Sequence, residues 1–183
     1  MKKLALALLF CGASAFAASV TYSTSGAFTG TDASGSGLAN GTATIAYTPQ
    51  SSITVSTPTG INIGSLVVTG GSGTFTNDNF VLTIWQTSPS SGSGNTSTSI
   101  SGSVSGNSNN IVVTFAPSSF SIGQISYTLQ NSTYFLVAPN TNTNTAGVTS
   151  LQAQVVAPEP ASLGLIGASL MGLGLAFRRR FVK

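Results

Sequence analysis

Residues 111–129 read IVVTFAPSSFSIGQISYTL. Ile111, Val113 and Phe115 alternate with Val112, Thr114 and Ala116. A period of two puts one set of side chains on a single face of an extended strand, and β-branched and aromatic residues suit a pleated, half-buried surface. Further along, Phe120 and Ile122 have one parity and Ile125, Tyr127 and Leu129 the other, with Gly123 at the change. A bulge at the glycine would return the second set to the core face. The same grammar extends through the chain. Ala43, Ile45 and Tyr47 alternate with Thr44, Ala46 and Thr48, and Ile53 and Val55 with Ser52 and Thr54. Ile61 and Ile63 pass to Leu66 and Val68 across Gly64, a second predicted bulge. Between these runs lie TGTDASGSGLANG (29–41), SPSSGSGNTSTS (88–99), SGNSNN (105–110) and APNTNTNTAG (138–147), all of turn or loop composition. Nine or ten short strands at this spacing predict an all-β domain, an antiparallel β-sandwich of jelly-roll-like kind. A β-solenoid would require a strict repeat of about 20 to 50 residues, and none is visible.

The charges lie almost entirely at the ends. The chain of 183 residues has six Lys and Arg, three Asp and Glu and no His. All six cations lie in residues 1–3 and 178–183, so residues 18–157 carry only Asp32 and Asp78 and a net charge of −2. A nucleic-acid surface needs clustered cations to displace counterions from phosphates, so no nucleic-acid partner is expected. Ser, Thr, Asn and Gly take the surface positions that charges usually occupy.

The inventory of reactive groups is equally sparse. A Ser or Thr nucleophile needs a base, and residues 18–157 contain neither His nor Lys. Zinc and copper sites lack both His and Cys ligands there. A carboxylate pair would require Asp32 and Asp78 to converge from distant parts of the chain. The stretch at Asp32-Ala33-Ser34-Gly35-Ser36-Gly37 resembles the front of a calcium-binding loop, but its twelfth position is Ala43, so it is read as a turn. Thr76-Asn77-Asp78-Asn79 is read as a hairpin turn. The expectation is a non-enzymatic protein with no metal and no other cofactor. In FVLTIW (80–85), Phe80, Leu82 and Ile84 make one face and leave Trp85 with Val81 on the other. An outward Trp85 is suited to stacking on a sugar ring, which makes extracellular polysaccharide the candidate ligand, with the Asn-rich loops as further contacts.

Both ends read as addresses. Lys2 and Lys3, the apolar run 4–10 and the small residues leading to Ala15-Phe16-Ala17 form the three-part pattern of a secretory signal peptide cleaved after Ala17. Phe10 stands where a lipid-modified cysteine wants Gly, Ala or Ser, so Cys11 is assigned to the removed peptide, leaving residues 18–157 without cysteine. At the other end, residues 161–177 are an uncharged stretch that as a helix spans about 25 Å, enough for a single transmembrane helix. Arg178, Arg179, Arg180 and Lys183 follow it and hold that end on the cytoplasmic side. Gly164, Ala168, Gly172 and Ala176 recur every four residues, a stripe of small side chains fit for close helix packing. Pro158-Glu159-Pro160 precedes the apolar run as a stiff, extended hinge.

Pro158-Glu159-Pro160, a glycine-rich apolar helix and an arginine cluster, in that order, resemble the C-terminal sorting signal called PEP-CTERM. The resemblance is confined to residues 158–183. It implies handling by an exosortase, an integral-membrane protease or transpeptidase acting near the Pro-Glu-Pro. It also implies a Gram-negative host that makes extracellular polysaccharide, transient residence in the inner membrane, and delivery to the cell surface or biofilm matrix. The expected organisation is a signal peptide at 1–17, a β-sandwich ectodomain at 18–157 and a sorting tail at 158–183, divided into motif (158–160), transmembrane helix (161–177) and basic end (178–183).

Overall fold

The computed structural model describes residues 18–158, 167 and 169–172. Ala17–Ala157 form one compact unit, and Met1–Phe16 with Pro158–Lys183 fall in another. The signal peptide predicted at 1–17 lies outside the described residues, as does nearly all of the helix predicted at 161–177. Among the described residues no helix is long and apolar enough to cross a membrane. Residues 167 and 169–172 are helical and exposed.

The first half of the domain contains β1 (Ser19–Thr29), β2 (Ala33–Ser34), β3 (Gly37–Asn40), β4 (Ala43–Thr48), β5 (Ile53–Ser56), β6 (Thr59–Thr69) and β7 (Ser72–Ser88). The second contains β8 (Gly92–Ser105), β9 (Ser108–Asn109), β10 (Val112–Thr114), β11 (Ser119–Ile122), β12 (Ile125–Leu129), β13 (Thr133–Phe135) and β14 (Gly147–Val156). These fourteen strands, more than the nine or ten expected, build two seven-stranded antiparallel sheets. The first runs β13-β10-β8-β7-β1-β5, with β9 attached to β8; the second runs β11-β12-β14-β6-β4-β3-β2. One apolar cluster draws on both, with Phe75, Phe80, Leu82 and Ile100 from the first sheet and Ile45, Ile63, Leu66 and Leu151 from the second. The sheets therefore face one another across a shared core, as in a β-sandwich.

Alternation locates most of this core. Ala43 and Ile45, Ile61 and Ile63, Leu66 and Val68, and Ile111, Val113 and Phe115 are all buried. At Gly64 the predicted bulge is present: β6 changes register against β14 between Leu151 and Gln152, opposite Gly64 and Asn62. Gly64 has φ +121, and a Cβ there would strike the Tyr47 ring, so glycine meets both a backbone and a packing requirement.

Three expectations are corrected. Gly123 is not a bulge but opens a two-residue hairpin, because Ile122 pairs directly with Ile125 and the chain reverses between them. Residues 76–79 do not form a hairpin turn; they lie inside β7, where the register against β8 shifts between Phe75 and Asp78 and Asn77 takes φ +59. The stretch 88–99, read as a loop, supplies the first half of β8. Its hydroxyl-rich composition hides an inward face, since Thr96 and Thr98 are buried and bond to the Pro117 carbonyl and the Thr114 amide.

Hydroxyl groups also tie the sheets together. Tyr22 on β1 donates to the Asn62 carbonyl on β6 at 2.8 Å, and Tyr47 on β4 donates to Thr24 Oγ1 on β1 at 2.8 Å. Tyr127 on β12 donates to Gln86 Oε1 on β7 at 2.7 Å, and Tyr134 on β13 to the Gln152 carbonyl on β14 at 3.3 Å. All four tyrosines of the chain thus bridge one sheet to the other. In a domain without cysteine or cations, these are the polar links that disulfides or ion pairs would otherwise supply.

Candidate functional site

The tail leaves the fold at the end of β14, which is paired on both sides, with β12 and with β6. Val155 is buried, Ala157 packs against the core, and Pro158 is exposed. One residue therefore separates the last strand from the first residue of the Pro-Glu-Pro motif. Glu159, Pro160, Gly164, Ala168, Ala176, Arg178, Arg179 and Arg180 lie outside the described residues. Of the predicted small-residue stripe, Gly172 is described and is helical and exposed.

Trp85 points away from the core, as the alternation predicts. It is 51 % exposed, while Phe80, Leu82 and Ile84 are buried. Its neighbours across the sheet are Ser23 on β1 and Ser93 on β8, and its Nε1 donates to Ser25 Oγ at 3.1 Å. That bond holds the indole among the serines of the neighbouring strands. A cavity of about 390 Å³ lies elsewhere, lined by Thr69, Gly70, Asn140, Thr141 and Asn144 among others. The Asn-rich loop forming it is pinned by Asn107 Oδ1, which accepts from the Thr141 amide at 2.6 Å and its hydroxyl at 2.7 Å.

Asp32 and Asp78, the two charges of the domain, meet. Asp78 Oδ1 accepts the Asp32 amide at 3.0 Å, although the two are 46 residues apart. Asp32 Oδ1 accepts from Asn40 Nδ2 at 2.8 Å, and Asn40 Oδ1 from the Thr74 amide at 3.1 Å. Asp78 is fully buried. Burial pushes its carboxyl above the usual carboxylate range; the Asp32 amide opposes that rise and the Asp32 carboxyl reinforces it. Gly30, at φ +136, permits the approach, since a Cβ there would strike both Asp78 Oδ1 and the Asn77 carbonyl. Sequence reasoning had no signal for this meeting, because it depends on the β1–β2 turn folding over the β7 bulge.

The arrangement defines a two-sheet, nearly uncharged β domain whose last strand runs directly into a terminal peptide signal. That signal is identified by comparison: residues 156–180 match the family model described as the PEP-CTERM protein-sorting motif. The chain is an exported protein sorted through this motif and handled by exosortase, a membrane protease. No curated protein and no solved structure matches the chain.

Proposed function

We propose that this chain is a non-enzymatic surface or extracellular-matrix protein. It is exported with a signal peptide, held in the inner membrane by its tail, processed near Pro158-Glu159-Pro160, and delivered outward as a β-sandwich. The observation that carries this reading is the sorting motif matched at 156–180, whose Pro158-Glu159-Pro160 follows directly on a compact unit ending at Ala157. Support for a non-enzymatic role comes from the only acid pair of residues 18–157. Asp78 is closed off from solvent, whereas a general acid or base must reach its substrate. The test is processing in the native host. Glu159→Ala or Pro160→Ala should leave membrane insertion intact and cause full-length precursor to accumulate in the inner membrane. Wild-type protein should reach the surface or medium without residues 178–183. Exported wild-type protein that keeps Lys183 would make the tail a plain anchor.

A second reading, a polysaccharide-binding module, is favoured by one observation, the half-exposed Trp85 held among the serines of the neighbouring strands. On an array of bacterial glycans this reading expects saturable retention that Trp85→Ala abolishes. Retention unchanged by the substitution would remove Trp85 from the function.

A further inference from the structure

Asp78 Oδ2 is a buried carboxylate oxygen without a hydrogen-bond partner. Burying such an atom is costly, and the cost rises when a second carboxylate stands beside it. Asp32 is that neighbour: its main-chain amide lies 3.0 Å from Asp78 Oδ1, and its carboxyl adds to the rise that burial causes in the Asp78 pKa. No basic side chain of residues 18–157 relieves it, since that segment contains no Lys, Arg or His. Of the donors in place, the Asp32 amide is on Asp78 Oδ1 and Asn40 Nδ2 is on Asp32 Oδ1, and the Thr76 amide also lowers the Asp78 pKa against the larger effect of burial. The corner also gathers main-chain oxygens, for the Asn77 carbonyl and Asp78 Oδ1 both crowd Gly30.

We infer that the Asp32–Asp78 corner is a calcium site that locks the β1–β2 turn onto the bulge of β7. The ligand chemistry selects the ion. The acceptors at the corner are oxygens: two are carboxylates, and the Asn77 carbonyl stands with Asp78 Oδ1 against Gly30; calcium takes oxygen ligands of this kind in irregular geometry. Zinc and copper prefer the imidazole and thiolate ligands that residues 18–157 lack. Magnesium demands near-ideal octahedral geometry and retains waters, which a buried Oδ2 disfavours. The charge balance agrees, because one divalent cation cancels the net −2 of the domain. Sequence inspection sees only half of this site: the Asp32 stretch lacks an acid at its twelfth position, and the missing carboxylate arrives from Asp78 on another strand. This inference stands apart from the route of export and from glycan binding.

The test uses the full chain in a mild detergent at pH 7.5 and 0.1 M NaCl, stripped with EDTA and titrated with CaCl₂. Thermal unfolding should shift upward, by on the order of 4 °C at ten times Kd, and continue to rise with the logarithm of the calcium concentration. Equilibrium dialysis with radioactive calcium should give one ion per chain. Asp32→Asn should abolish both effects, as should Asp78→Asn. Because Asp78 is buried, the dialysis on Asp32→Asn decides the matter if the other variant fails to fold. An unfolding temperature that is the same in EDTA and in 10 mM CaCl₂ would overturn the inference, as would calcium binding retained in Asp32→Asn. Stabilisation by acid alone, with none from calcium, would also overturn it and leave a shared proton as the answer to the buried oxygen.

Discussion

Removing one hydroxyl should weaken the contact between the two sheets by a measurable amount. Tyr127 and Gln86 are both buried, and the 2.7 Å bond between them joins β12 of one sheet to β7 of the other. Gln86 is held from its far side, where Nε2 donates to the Ser90 carbonyl at 2.8 Å, so its amide cannot turn away to find another partner. Tyr127→Phe therefore removes a hydrogen bond and strands Gln86 Oε1 in the core. A stranded buried acceptor costs about 1–3 kcal/mol. The ring itself is kept, including its stacking on Phe120 at 5.6 Å, so no packing loss confuses the result. Gln86→Met should cost more, since it strands the phenol and also removes the donor to the Ser90 carbonyl. The double variant, with both polar atoms gone, should be less destabilised than the sum of the two, with a coupling of about 1 kcal/mol or more. Urea unfolding of residues 18–157, followed by circular dichroism, gives the three differences. A Tyr127→Phe effect within about 0.3 kcal/mol of zero, or additive single variants, would refute the idea that this bond links the sheets.

Other expectations follow from the same contacts. Burial pushes the Tyr47 and Tyr127 phenols up to about 12 from the ordinary 10.0, and raises Tyr22 as well. The folded state thus holds these protons more tightly than the unfolded chain, and the associated stability is complete below pH 10 and lost between about 10 and 12. Tyrosinate absorbance should then appear together with loss of circular dichroism, and ionisation near pH 10 in a folded domain would contradict it. Phe80→Ala should cost about 3–5 kcal/mol in urea unfolding, since the Phe80 ring lies 4.7 Å from Phe28, 5.2 Å from Tyr47 and 6.2 Å from Phe115. Gly64→Ala should destabilise by at least about 1–3 kcal/mol, because φ +121 is unfavourable for a Cβ that would also meet the Tyr47 ring. A neutral result there would mean that the β6 bulge can relax.

The sequence by itself determined the architecture's class, the inward face of most strands and the address at the C-terminus. These are local properties: a period-two pattern declares which side of a strand is buried whatever it pairs with, and the sorting motif matched at 156–180 is a contiguous string. Trp85 was legible for the same reason, as its parity against Phe80, Leu82 and Ile84 already sent it outward. Parity could not report what neighbours do. Gly123 as a hairpin and Gly64 as a bulge carry the same sequence signal, a glycine at a change of phase, and only the pairing partner separates them: Ile125 for one, β14 for the other. Residues 92–99 concealed a strand because Thr96 and Thr98 can serve a core only where Pro117 and Thr114 accept and donate to them. The convergence of Asp32 with Asp78, and of each tyrosine hydroxyl with an oxygen on the opposite sheet, are long-range events in the same sense. Tertiary structure decided them, because a polar side chain states only that it needs a partner, and the packing of two sheets decides which one it meets.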